Sequence, residues 1–331
     1  MRAAVLHGPA PAAEGPLVLE DRPDPEPAAG EVLVRVAACA VCRTDLQLCE
    51  GDLEAHVLPV VPGHQVVGEV VDVGPGVTSP VPGERVGLTW LAGTCGRCRF
   101  CTSGRENLCE RITFTGWDRD GGYAELVTAR ADVVHGLPGD RPAAELAPLL
   151  CAGVIGYRAL RRSGARAGDR LGLFGFGASA SIVIQLAVAE GMEVHVCTRS
   201  PREQQVALDL GATWVGGFDE RPPAPLQAAI TTAPVGEAVT LALAALDRGG
   251  VVAVNAIHLD RVPAFPYRDL WWEREVRSVA NVTRADAREF LELVERVGVV
   301  TRHEVRPLAE ASGALADLAA GRVDGSAVLV P

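Results

Sequence analysis

The sequence predicts a two-part α/β chain, a mainly β part joined to a doubly wound parallel sheet, and three observations carry that expectation. To about residue 148 the apolar runs are short and rich in Val, as in EVLVRVAACAV and GHQVVGEVVDVG, with Pro and Gly between them (PAAG, VGPGV, PVPGER). Such runs read as strands joined by turns. From about residue 149 the texture changes: LGLF (171–174), EVHVC (193–197) and VVAVN (251–255) are brief strand-like runs separated by longer Ala- and Leu-rich segments. Strand alternating with helix implies a parallel sheet. After about residue 282, HEVRPL and SAVLVP look like strands again, so the β texture returns at the end of the chain.

Taken in order, Ile182, Leu186 and Ala189 share one helical face, and REQQVALDLGA begins with charge and stops at Gly211, a helix C-terminus. RADAREFLELVERVG places Phe290, Leu291, Val294 and Val297 at helical spacing. PPAP at 222–225 reads as an exposed loop, and no fixed-period repeat or low-complexity tract interrupts the pattern. The expected division is 1–148 with 283–331 as one domain and 149–282 as the other.

A length of 331 residues allows each part its own core. Lys and Arg number 31 against 42 Asp and Glu, a net charge of −11 with no Lys/Arg-dense stretch, which excludes the basic footprint of a nucleic-acid binder. The opening MRAAVLHGPAPAAEGP has no apolar h-region, and nothing later approaches the ~18 uninterrupted apolar residues of a membrane span. A soluble, cytoplasmic protein with no membrane partner is expected.

Nine cysteines, an odd count without a secretory signal, read as metal ligands plus buried thiols rather than as a disulfide scaffold. Cys95-x2-Cys98-x2-Cys101-x7-Cys109 gathers four thiolates in one short lobe (95–109), the pattern of a closed tetrahedral zinc site. Disulfides, free thiols or an iron–sulfur cluster are the competing readings. Arg97, Arg99 and Arg105 lie among the ligands, and their charge is expected to hold the thiolates deprotonated. Four protein ligands leave no open position, so such an ion braces a lobe. A catalytic zinc needs three ligands and an open vertex, and Cys42 (AVCRTDL), His64 (VPGHQVVG) and Cys151 (LLCAGVIG) offer a Cys2His set from three separated segments. Singly, each reads as well as a buried small residue or a loop residue. Their joint occurrence beside the four-cysteine lobe favours a second metal site.

LGLFGFGASASIVIQLA sets Gly175-x-Gly177-x-x-Ala180 between a strand-like and a helix-like run, where a tight turn and a helix N-terminus receive a pyrophosphate. A plain strand-to-helix turn is the alternative. The next strand ends in Thr198, Arg199 and Ser200, with no carboxylate for ribose hydroxyls. Its absence and the neighbouring Arg favour a 2′-phosphate, hence NADP(H) over NAD(H). If Arg199 instead stacks on adenine, NAD(H) serves.

On these motifs the chain resembles the zinc-dependent alcohol dehydrogenases of the medium-chain dehydrogenase/reductase family, over essentially its whole length. The resemblance implies a mainly β, GroES-like catalytic domain and a Rossmann dinucleotide-binding domain with the active site between them. It implies two zinc ions per chain, catalytic at Cys42, His64 and Cys151 and structural at Cys95, Cys98, Cys101 and Cys109. It also implies a homodimer or homotetramer. The family places a Ser or Thr at the position of Thr44 as the first member of a proton relay, and a carboxylate at Asp45 that orients the liganding His; a helix N-cap is the plain alternative for this pair. Arg43 matches a pyrophosphate contact, and Asn255, Ala256, Ile257 and Ala280 match segments that meet the nicotinamide carboxamide. Two positions depart: Gln65 replaces the Glu that usually follows the zinc-binding His, and Gln47 replaces a His that ends the relay in many relatives.

Trp90 stands five residues before Cys95, as in relatives with a narrowed alcohol pocket, and Trp117 is expected to form a second wall, favouring slim primary alcohols and aldehydes. Trp271 and Trp272 are expected in the core. The implied activity is reversible hydride transfer between a primary alcohol or aldehyde and a nicotinamide cofactor, Thr44 passing the proton. The rivals are a zinc-free quinone or enoyl reductase of the same superfamily, which predicts loss of the three ligands, and a non-catalytic NADP(H)-binding protein with a decayed site.

Overall fold

A computed structural model describes residues 1–257, 259 and 261–331. The chain forms two compact units: Met1–Cys151 with Asn281–Arg288 and Thr301–Pro331, and Ala152–Ala280 with Glu289–Val300. Among the described residues no single helix is long and apolar enough to cross a membrane.

The first unit is built on a seven-stranded sheet around the long strand Glu31–Ala40. Its Val32, Val34 and Val36 point inward on alternate positions and are buried with Val66, Val70, Val86 and Leu88 of neighbouring strands, the period-2 pattern of a half-buried strand. Gln65–Val73 runs antiparallel to it, with Ala40 opposite Gln65. That register matters for the site. Cys42 lies just past the end of one strand and His64 just before the start of the other, so both leave the same end of the ladder. At a separate point, Leu91–Gly93 pairs antiparallel with Thr113–Phe114 and closes the neck from which the 95–109 lobe hangs.

The second unit is a six-stranded parallel sheet in the order Trp214–Gly216, Glu193–Cys197, Arg170–Phe174, Leu226–Thr231, Leu246–Val254, Glu275–Ser278. The first strand in sequence is central, and the chain reverses direction across the sheet between it and Leu226–Thr231. This is the doubly wound order, whose switch point lies at the C-terminal end of the central strand. Helices Ala152–Ser163, Ala178–Ala189, Pro201–Asp209 and Gly236–Ala245 accompany it. Helix Arg284–Val297 forms where its apolar spacing predicts one. The segment 289–300, grouped by sequence with the first part, packs in the second unit: Phe290 is fully buried, with its ring 5.8 Å from that of Tyr157 and against Gly153.

One expectation fails. Trp271 and Trp272 are not core residues but are 51% and 47% exposed. They lie in the turn before the edge strand, Trp272 at φ 77°, with the Arg248 guanidinium 4.0 Å from the Trp272 ring. The cation over the ring face takes the place of core packing.

Candidate active site

Cys42, His64 and Cys151 converge. Their ligand atoms all lie within 4.8 Å of one another, with Cys42 Sγ 4.0 Å from Cys151 Sγ and His64 Nε2 3.3 Å from Cys151 Sγ. Two sulfurs bound at about 2.3 Å to one tetrahedral ion stand about 3.8 Å apart, so the donor set fits zinc in chemistry and spacing.

Behind the imidazole, Asp45 is 2% exposed and accepts from His64 Nδ1 at 2.9 Å. That bond fixes the proton on Nδ1 and leaves Nε2 for a metal. The same carboxylate accepts the Cys42 N–H at 2.8 Å. Cys42 is the N-cap of helix Arg43–Glu50 and Asp45 its third residue, so the helix-starting bond and the histidine-orienting bond come from one side chain. Gly63 N–H (3.3 Å) and the Tyr123 hydroxyl (2.9 Å) complete its shell. Burial alone would lower the His64 pKa, but the charge and hydrogen bond of Asp45, together with Cys42, carry it up to about 10. The hydrogen bond from Cys151 and then His64 hold the Cys42 thiol well below its ordinary range against burial, while the same contact and burial push Cys151 up. Metal uptake here therefore displaces protons.

Thr44 is half-buried on the first turn of helix Arg43–Glu50, and Arg43 beside it is exposed. Gln47 and Gln65 are both buried. Gln65 donates its amide to Ala40 O at 3.2 Å.

Trp90 and Trp117 come together, though not as facing walls. Their rings are parallel within 1° at 5.6 Å, and Phe114 lies 4.2 Å from Trp90 and 5.4 Å from Trp117. Rings on opposite faces of one indole stand at least about 7 Å apart, twice a stacking distance of about 3.5 Å. Phe114 and Trp117 therefore share one face of Trp90, and the two tryptophans form a single wall. His64 lies 6.0 Å from Trp90, and His56 extends the wall by stacking on Trp117 at 4.2 Å.

The four cysteines of the lobe also converge within 4.8 Å, with Cys95–Cys101 at 3.9 Å and Cys98–Cys101 at 3.5 Å between sulfurs. All nine cysteines are free thiols. Backbone N–H groups reach the sulfurs where the arginines do not: Cys98 N donates to Cys95 Sγ, and Cys95 N and Arg111 N to Cys109 Sγ, each at 3.3 Å, whereas desolvation and the contact with Cys98 push Cys101 up to about 11. Backbone donors hold Cys95 below its ordinary range and bring Cys98 down to about 6. Arg99 and Arg105 instead lie over the Phe100 ring at 4.5 and 5.5 Å.

In the second unit, Gly175 follows the central strand at φ 93°, and a Cβ there would come within 2.5 Å of Ala233 N. Gly177 has open space at its Cβ position and is the N-cap of helix Ala178–Ala189, with no side chain capping it. Ala180 is fully buried. This open turn ahead of uncapped helix N–H groups fits a pyrophosphate. Thr198, Arg199 and Ser200 end the neighbouring strand; Thr198 is buried, Arg199 exposed, and Ser200 Oγ caps helix Pro201–Asp209 through Glu203 N. Asn255 donates to Ser179 Oγ at 3.3 Å, and Ile257 and Ala280 are exposed. All these positions except Ala180, which lies in the following helix, stand at the C-terminal edge of the sheet, the ligand-binding edge of this architecture.

Residues 28–139 match the alcohol dehydrogenase GroES-like domain. The chain is 49% identical over 336 residues to "Probable alcohol dehydrogenase AdhA" of Mycobacterium tuberculosis, covering 100% of this chain and 97% of that protein. It is 35% identical over 325 residues to an alcohol dehydrogenase of Geobacillus stearothermophilus, covering 95% and 96%. A cobalt- and zinc-bound thermostable alcohol dehydrogenase from Pyrobaculum aerophilum superposes with a TM-score of 0.91 at 27% identity, covering 100% and 99%. Fold and site thus define an oxidoreductase with a GroES-like and a Rossmann domain. The chain belongs to the zinc-dependent alcohol dehydrogenases of the medium-chain dehydrogenase/reductase family.

Tyr123 and Phe114 are site neighbours that sequence reasoning missed. Tyr123 follows two glycines in GGYAE, a close-approach signal that marks it only once its neighbour is known.

Proposed function

We propose that this protein interconverts primary alcohols and aldehydes, with two zinc ions per chain and NADP(H) preferred over NAD(H). The carrying observation is the convergence of two thiols and an imidazole, with a buried carboxylate fixed behind the imidazole. The four-thiol lobe supports the second, structural ion.

Zinc held by Cys42, His64 and Cys151 supplies Lewis acidity toward an alcohol or carbonyl oxygen, and the nicotinamide supplies the hydride donor or acceptor. Asp45 keeps the imidazole in one tautomer and orientation. Thr44 accepts the substrate hydroxyl proton at Oγ1 as its own proton leaves. Gln47 has no titrating group to receive it, so the final hand-off to solvent would run through water or the cofactor ribose. The Trp90–Trp117 wall bounds one side of the substrate position beside His64, an apolar face that suits slim alcohols and aldehydes. Gly175, Gly177 and the helix behind them would hold a pyrophosphate, and Asn255, Ile257 and Ala280 would meet the carboxamide. Arg199, exposed at the end of its strand with Thr198 and Ser200 beside it, favours a 2′-phosphate. Six of the nine cysteines converge at the two candidate metal sites, a use of cysteine that fits a reducing, cytoplasmic setting.

The test is a panel of alcohols and aldehydes run with both cofactors on wild type and Cys42→Ser. Turnover with primary substrates that Cys42→Ser abolishes, while cofactor binding persists, supports the reading. Undiminished turnover in Cys42→Ser overturns it.

A further inference from the structure

Tyr123 has no part in the chemistry above, yet its hydroxyl ends on the most consequential carboxylate in the molecule. The side chain is fully buried and donates to Asp45 Oδ2 at 2.9 Å. Each Asp45 oxygen takes two donors, Oδ2 from Cys42 N–H and Tyr123, and Oδ1 from His64 Nδ1 and Gly63 N–H. The four acceptor sites of a carboxylate are then filled. Two of the donors are backbone groups next to metal ligands. Of the two side chains, one is the liganding His64 itself. Among the described residues, Tyr123 is the only side chain holding the carboxylate from outside the ligand segments.

The fold goes to some length to place it. Gly121, Gly122 and Tyr123 donate their backbone N–H groups to Val61 O, Gly63 O and Pro62 O at 2.7, 2.9 and 3.0 Å. Gly63 sits at φ 97°, and a Cβ there would approach the Tyr123 ring to 2.4 Å. Burial and the Asp45 charge push the phenol well above its ordinary range, so it stays a proton donor.

We propose that Tyr123 is a positioning residue of the metal centre: its hydroxyl fixes the Asp45 carboxylate in the plane that presents His64 Nε2 to the ion. The role rests on the metal reading of Cys42, His64 and Cys151 given above. Groups behind a liganding histidine carry about 10–100-fold in metal affinity when removed, and a hydroxyl one step further back falls at the lower end.

The test is Tyr123→Phe, which keeps the ring and removes only the oxygen. Zinc release to a chromogenic chelator is followed alongside the cobalt absorption spectrum of the centre and the melting curve. The expected result is about 10-fold faster release of one zinc, unchanged release of the lobe's zinc and an altered cobalt spectrum. In an Asp45→Asn background the same change should add nothing, since Tyr123 acts through Asp45. Wild-type release rates and an unaltered cobalt spectrum, with or without a lowered melting temperature, assign the hydroxyl to packing and overturn the proposal. So does full additivity with Asp45→Asn. Should Tyr123→Phe not accumulate folded, the wild-type proton spectrum decides. A slowly exchanging tyrosine hydroxyl proton linked to the His64 Nδ1 proton supports the role, and its absence overturns it. A wild type that holds zinc in the lobe alone overturns the metal reading itself, an outcome distinct from two zincs with unaltered Tyr123→Phe.

Discussion

Gln65 and Gln47 are 2% and 6% exposed, and among the described residues neither amide oxygen has a hydrogen-bond donor. A buried acceptor without a donor costs about 1–3 kcal/mol, so both positions carry a burden that packing alone does not explain. The proposed preference for NADP(H) rests on Arg199. Arg199→Ala should weaken NADPH binding about 10-fold or more, the worth of a charge-assisted bond, and leave NADH binding nearly unchanged, as fluorescence titration with both cofactors would read. His135 sets a pH limit on stability. Burial first, and then the charges of Arg288 and Arg284, lower its pKa from 6.5 to about 4. Between those values the unfolded chain binds a proton that the folded chain refuses, so stability falls as pH drops through 6.5 toward 4. Melting temperatures from pH 7 to 4.5 should decline, and less steeply in His135→Gln. At this scale the four-cysteine cluster was legible because its ligands are local in sequence. Cys42 and Cys151, 109 residues apart, carry no local spacing signal; their joint occurrence beside the lobe suggested a second site, and the resemblance gave it its role.

At the scale of elements, the antiparallel register that sets Ala40 against Gln65 delivers two ligands to one end of the sheet, and the glycines at 63, 121 and 122 let a second segment lie against the first. Gly63→Ala sets a methyl 2.4 Å from the Tyr123 ring at a left-handed φ. It should cost about 2–4 kcal/mol in a denaturant melt and slow zinc uptake. The Val-rich strands and the glycine turn were readable because their patterns are strong. Trp214–Gly216 and Leu226–Thr231 were not singled out, since three residues and an Ala-rich LQAAIT give little alternation to detect. Trp271 and Trp272 were misplaced for a different reason: large apolar residues also occur on surfaces, so hydrophobicity alone does not bury them.

For the whole molecule, the exposed rings mark a surface. Tyr267, Trp271 and Trp272 are 68%, 51% and 47% exposed next to Glu275–Ser278, which ends the six-stranded sheet with one side unpaired among the described residues. An exposed edge strand beside aromatic residues is a place for another chain to pair, in keeping with the homo-oligomer that the family resemblance implies. If the implied homo-oligomer forms through this surface, Trp271→Glu should sediment as a smaller species than wild type at equal concentration, with its melting curve little changed; equal sedimentation would remove this surface from any assembly.

The central claim is that one metal ion joins Cys42, His64 and Cys151. Anomalous difference maps collected on either side of the zinc absorption edge, for wild type and Cys42→Ser, test it most directly. Two zinc peaks per wild-type chain, with the peak among these three side chains lost and the lobe's peak kept in Cys42→Ser, is the predicted result. A wild-type map with a peak only in the lobe, or a second peak that Cys42→Ser leaves in place, would contradict it.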